Sequence, residues 1–175
     1  FAGWVYVTSL PTGASKAEVL FCAGLTSTAS GGWGVQFYQG TSKFEVRWQQ
    51  PSGGALSTVV RTADAIATNA WVHLAVFFNG IDHVVDLYRD GVLDTSAAFP
   101  AGAIPYGLST HGITWFGQGN ASTVTNRMGE SGGVYAVTDT LILNMPSDTR
   151  AVIPEIVRSL YAAGHTLPVT LGDSI

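Results

Sequence analysis

The chain has 175 residues and a mass of 18.4 kDa, the size of one domain with a single core. Hydrophobic residues make up 46% and aromatics 11%, enough to fill that core, so disorder is excluded. Charged residues reach only 11% with a net charge of −4, and the eight Lys and Arg are scattered without a cluster, so the basic footprint of a nucleic-acid binder is missing. Hydroxyl groups take over the solvation: 18 Thr and 14 Ser, beside 21 Gly and two Lys, lean towards an all-β extracellular chain. No apolar run approaches the ~20 residues of a membrane helix, and no membrane insertion is expected. The single cysteine, Cys22, lies in the apolar run Val19-Leu20-Phe21-Cys22-Ala23 and reads as a buried, inert thiol. The opening at Phe1, without Met or a signal-like segment, fits a processed product or a domain of a longer chain.

Period-two alternation dominates the first 145 residues, broken by Gly, Ser, Thr, Asn and Pro clusters. Residues 1–8 and 18–23 read as the first two strands. The clearest hairpin follows: Trp33, Val35 and Phe37 alternate with Gly34, Gln36 and Tyr38, and Phe44, Val46 and Trp48 alternate with Glu45, Arg47 and Gln49. One face of it should be core and the other polar. A weaker strand over 56–61 precedes strands at 71–78 and 83–89, joined by Asn79-Gly80-Ile81-Asp82, and Asp90-Gly91 makes a tight turn. Residues 95–112 look irregular and loop-rich. Strands at 113–116 and 134–144 complete the β inventory. Trp4, Trp33, Trp48 and Trp71 are expected between the sheets. Only one segment has helical periodicity, where Pro154 suits a helix start, Ile156, Val157, Leu160 and Tyr161 form a stripe, and Gly164 stops it.

The string Trp71-Val72-His73-Leu74-Ala75-Val76, then Asn79-Gly80 and Leu87-Tyr88-Arg89-Asp90-Gly91, resembles the pattern of the laminin-G-like, concanavalin A-like jelly rolls. Trp4-Val5, Ile113-Thr114-Trp115-Phe116-Gly117, Pro154-Glu155-Ile156 and Leu160-Tyr161-Ala162-Ala163-Gly164 look like further strands and the closing helix of that family. The resemblance covers residues 1–164 and implies an all-β, two-sheet antiparallel jelly-roll sandwich with one short C-terminal helix. Such a fold usually carries a strand before the one that holds Trp4. The sheet edge beside Phe1 is therefore expected to lie open, with the tail 165–175 and its alternating Leu167, Val169 and Leu171 forming an edge strand there or reaching a neighbouring subunit in a homo-oligomer.

Hydrolases of this jelly roll place paired acids on one strand. Here the glutamates are Glu18, Glu45, Glu130 and Glu155, none with a second acid within four residues, and no G-x-S-x-G marks a nucleophile elbow. A non-catalytic domain is expected. His73, between Val72 and Leu74, reads as a buried structural imidazole, His83 begins a strand, and no spacing supports zinc. The resemblance implies calcium at a rim, with Asn79, Asp82 and Asp90 as the candidate ligands beside Asp94, Asn120, Asn126 and Glu130; turn-making explains the same residues as well. The strongest ligand-binding segment runs from His111 through Trp115 to the polar loop 117–123, taking in Gln118 and Asn120, and on to Asn126 and Arg127. Amides and hydroxyls there suit sugar hydroxyls while an aromatic face stacks on the ring. Asn120-Ala121-Ser122 is also a glycosylation acceptor pattern.

The expected function is an extracellular binding or adhesion module that recognises a glycan or cell-surface protein through rim loops. Its rival is a structural jelly-roll module of a phage or virus particle, for which low charge and an open edge also speak. A hydrolase or lyase is disfavoured by the acid census.

Overall fold

The computed structural model describes residues 1–10, 17–23, 32–38, 41–49, 57–79, 81–98, 113–115, 118–120, 123–125, 134–141 and 151–164. Two antiparallel five-stranded sheets stand face to face. In the first, β1 (Ala2–Ser9) runs between β12 (Val134–Leu141) and β6 (Ala70–Asn79), followed by β7 (Val84–Arg89) and β8 (Val92–Ala98). In the second, β5 (Ser57–Arg61), β4 (Lys43–Gln49), β3 (Gly32–Tyr38), β2 (Ala17–Ala23) and β9 (Ile113–Trp115) lie in that order. A ribbon of β10 (Gln118–Asn120) and β11 (Thr123–Thr125) stands beside β2 and β9, and the helix α1 (Ile153–Ala162) follows. This is the all-β sandwich with one C-terminal helix that the sequence implies. No helix among the described residues is long and apolar enough to cross a membrane.

The core is set by side-chain parity. Val35, Phe37, Phe44 and Val46 are fully buried and Trp48 nearly so, facing Val5, Val7, Leu74, Val76, Val85 and Leu87 of the other sheet. Each such side chain contributes roughly 1.5–3 kcal/mol by leaving water. Phe37 and Phe44 sit opposite each other in register and meet edge to face, 5.3 Å between ring centres. The expected hairpin core therefore holds, with Trp33 half-buried at its margin against Phe21 and Phe78.

Two tryptophans expected between the sheets lie elsewhere. Val5 and Val7 take the inner face of β1, so Trp4 and Tyr6 point outwards, level with His73 and Trp71 on β6. Both parities of Trp4-Val5-Tyr6-Val7 are apolar, and the compact valines fill the inter-sheet space. Helix α1 makes use of the outward set. Ile153 and Val157 pack on Ala2, Ala75 and Tyr88, and Tyr161 stacks on Trp4 at 5.4 Å.

Three further expectations change. Residues 95–98, expected within an irregular stretch, belong to the strand 92–98: Asp90 (φ 50°) and Gly91 (φ 80°) form a two-residue turn with both residues left-handed, which fixes a hairpin. A register shift between Leu87 and Tyr88 destroys the alternation that would have marked β8. The polar stretch 117–123 is likewise partly extended, with Gln118 opposite Thr125 and Asn120 opposite Thr123, because β-branched residues at 123–125 favour pairing. Finally, the edge beside Phe1 is not open. β1 is hydrogen-bonded on both sides, to β6 and to β12, so the strand that fills the position is 134–141. The tail 165–175 lies outside the described residues.

Candidate functional site

The face of the second sheet turned away from the core carries a row of polar side chains across three strands. Register sets it: Gln36 of β3 faces Glu45 of β4, and Glu45 faces Arg61 of β5. Gln36 Nε2 donates to Glu45 Oε2 at 3.3 Å, and Arg61 Nε donates to Glu45 Oε1 at 2.8 Å. Glu45 is 1% exposed and Gln36 3%, whereas the Arg61 side chain is 45% exposed. A buried carboxylate is tolerable only when paired and hydrogen-bonded, and here a partner stands at each oxygen. Along β4 the same face continues with Lys43 and Arg47, so among the described residues the strand neighbours of Glu45 on that face include an amide and three cations.

The backbone under Arg61 is held from several directions. Thr62 N donates to Phe44 O, Ile66 N to Ser42 O, and Lys43 Nζ to Ala63 O. From β8, Thr95 Oγ1 donates to Arg61 O at 2.6 Å, and Asp94 Oδ2 accepts from Ala63 N at 2.7 Å. Arg89 stands 3.3 Å from Asp94 and 3.4 Å from Asp64. This stitching closes the side of the sandwich between β5 and β8 and makes the base of Arg61 rigid.

The residues singled out from sequence fall in three places. Trp115 ends β9, its backbone opposite Phe21, and Gln118 and Asn120 lie in β10 close by. His111, Asn126, Arg127 and Glu130 are outside the described residues. Strand β9 and strand β5 are the two edges of one sheet, four strand spacings or ~19 Å apart, so Trp115 is not brought together with Arg61.

The calcium candidates are split as well. Asn79 Oδ1 accepts from Ile81 N (2.9 Å) and Asp82 N (3.0 Å), and Asn79 Nδ2 donates to Asp82 Oδ2 (2.8 Å), an Asx turn that closes the β6–β7 hairpin. Asp90 follows the far end of β7, six residues along the ladder or ~20 Å away, where it accepts from His73 N at 2.9 Å. No group of three His, Cys, Asp or Glu that could hold a metal is found among the described residues.

His73 is buried, its ring against Trp4 (5.2 Å) and Tyr161 (6.0 Å), which stack on each other, with no hydrogen bond at Nδ1. Burial pushes its pKa below 6.5, and the nearby Asp90 carboxylate pulls it back in part. It serves the seat of the helix rather than the polar row.

Among solved structures the chain resembles the Ruminococcus gnavus IT-sialidase CBM40 (TM-score 0.53, 13% identity, over 93% of this chain and 82% of that one). The same module bound to alpha2,3 sialyllactose gives 0.52 and 14%, with the same coverage. The receptor-binding domain of botulinum neurotoxin type G matches with a TM-score of 0.59 and 12% identity over 93% of this chain, which spans only 37% of the toxin chain. No curated protein matches the sequence. At such identities the likeness is one of fold. The sequence itself is matched over residues 1–127, well beyond half its length, and the chain belongs to the Concanavalin A-like lectin/glucanases superfamily, in its Laminin_G_3 family.

Proposed function

We propose that the chain is a non-catalytic glycan-binding module acting outside the cell, with its binding surface on the outer face of the second sheet. The observation that carries this reading is the Gln36–Glu45–Arg61 row, in which two buried groups hold a half-exposed guanidinium on a stitched backbone. A site whose polar groups are fixed beforehand loses little entropy on binding, which is how a shallow surface gains useful affinity. The rim segment with Trp115, Gln118 and Asn120, at the other edge of the sheet, serves as a second contact for a longer saccharide. Support also comes from the family, whose members include lectins, and from the shared fold with a module that binds sialyllactose.

The test is a glycan array probed with the whole 175-residue chain, followed by titration of the best ligand against Arg61→Ala. Binding that falls at least tenfold in the variant supports the reading. A ligand that binds the variant equally well moves the surface elsewhere, and a chain that binds no saccharide is not a glycan-binding module.

A further inference from the structure

The structure assigns to Arg61 a ligand class: we infer that the sheet face at β4–β5 selects saccharides that carry a carboxylate. The inference rests on the glycan-binding reading above and narrows it.

The charge balance of this face is opposite to that of the chain. The protein carries −4 with only eight Lys and Arg, yet three of those eight, Lys43, Arg47 and Arg61, share one patch in which Glu45 is the acid among the described strand neighbours. Asp64, in the segment after Arg61, and Asp94, on β8, are each engaged by Arg89.

Orientation matters as much as charge. A guanidinium has five N–H donors in a rigid plane. Glu45 takes the one on Nε, and among the described residues the terminal nitrogens of Arg61 have no further partner. Because Glu45 is itself clamped by Gln36, the plane of the guanidinium is set before a ligand arrives. Two parallel N–H groups on one edge of that plane match the two oxygens of a carboxylate, which a lysine ammonium does not. A neutral sugar hydroxyl engages only one donor and gains less from the local positive charge than a carboxylate does. Arg61 is the ligand-touching group; Glu45 and Gln36 are positioning residues.

The experiment compares two probes by calorimetric titration: a β-linked oligosaccharide containing glucuronate, and the same oligosaccharide with that carboxylate reduced to the neutral alcohol. The wild-type chain should bind the acidic probe at least tenfold more tightly, and the ratio should shrink between 50 and 500 mM salt, roughly as screening of a partly exposed pair requires. Arg61→Lys, which keeps a cation beside Glu45, should keep the wild-type melting temperature while losing most of the ratio. Glu45→Gln should weaken the acidic probe more than the neutral one. Equal binding of the two probes, or an Arg61→Lys chain with an unchanged ratio, overturns the carboxylate inference and leaves the glycan-binding reading standing. Absence of binding to either probe and to the array overturns both.

Discussion

Gly91 is the point where the β7–β8 turn and helix α1 meet, and substituting it separates two costs that the structure superimposes. Its φ of +80° is left-handed, so Gly91→Ala costs about 1–2 kcal/mol in any surroundings. A Cβ at this position would also stand 2.9 Å from Tyr161 Cδ1, 3.0 Å from Cγ and 3.1 Å from Cβ. Carbon atoms prefer about 3.5–4.0 Å, so the ring or the helix must retreat by several tenths of an ångström. Overpacking of this kind adds about 1–3 kcal/mol, and the retreat also lifts Tyr161 from Trp4, on which it stacks at 5.4 Å. The sum, about 2–5 kcal/mol, corresponds to a loss of order 10 °C in Tm for a chain of this length. In a Tyr161→Ala background the Cγ and Cδ1 contacts vanish, and the same substitution should cost little beyond its backbone strain. Thermal and urea unfolding of the four chains in this cycle measure the coupling, expected at about 1–2 kcal/mol. Equal costs of Gly91→Ala in the two backgrounds would refute the close seat of Tyr161 on the turn, and with it the account of how α1 is held.

His73 should make the fold sensitive to mild acid. Its pKa lies below 6.5 in the folded chain, so the unfolded chain binds the proton first, and stability should fall as pH drops below about 6.5 towards the folded value. A His73→Phe chain should lose Tm less steeply between pH 7 and 5 than wild type; parallel slopes would show that His73 does not titrate in this window. Arg61→Ala, by taking the guanidinium from a buried Glu45, should cost about 1–3 kcal/mol in urea unfolding, and a cost near zero would mean that Glu45 is not held by this pair. Phe44→Ala should cost about 3–5 kcal/mol, against less than about 0.5 for Val92→Ala at a position 68% exposed. Similar urea midpoints for those two variants would contradict the placement of the core.

Much of the fold could be read wherever one parity of a strand is apolar and the other is not. Residues 33–38 and 43–48 are of that kind, and the observed register pairs Val35 with Val46 and Phe37 with Phe44 as the turn at Thr41 and Ser42 requires. At Trp4-Val5-Tyr6-Val7 both parities are apolar, and sequence cannot say which faces the other sheet until a helix is known to cover one of them. Strand β8 was hidden for a different reason. Its register is dictated by the positive-φ turn before it, and the shift at Leu87 and Tyr88 leaves Val92 and Leu93 largely exposed, so hydrophobic alternation never appears.

The polar row was legible only in part, and the missing part is the one that gives it chemistry. Gln36 and Glu45 are nine residues apart, and a hairpin with a known turn already places them opposite each other on the polar face. Arg61 comes sixteen residues after Glu45, beyond a connection whose length does not fix the register, and β4–β5 pairing carries its own shift between Val46 and Arg47. An acid census that looks four residues either way along the chain treats Glu45 as solitary. In the sheet it is flanked on both sides, by an amide and by a guanidinium, and the question that matters for function becomes what the guanidinium does with the donors Glu45 leaves it. Searching for a lone strand acid whose cross-strand neighbours include an arginine would be the signal to follow in other chains of this family, because in a sheet the relevant neighbour lies across the ladder at about 5 Å and seldom nearby in sequence.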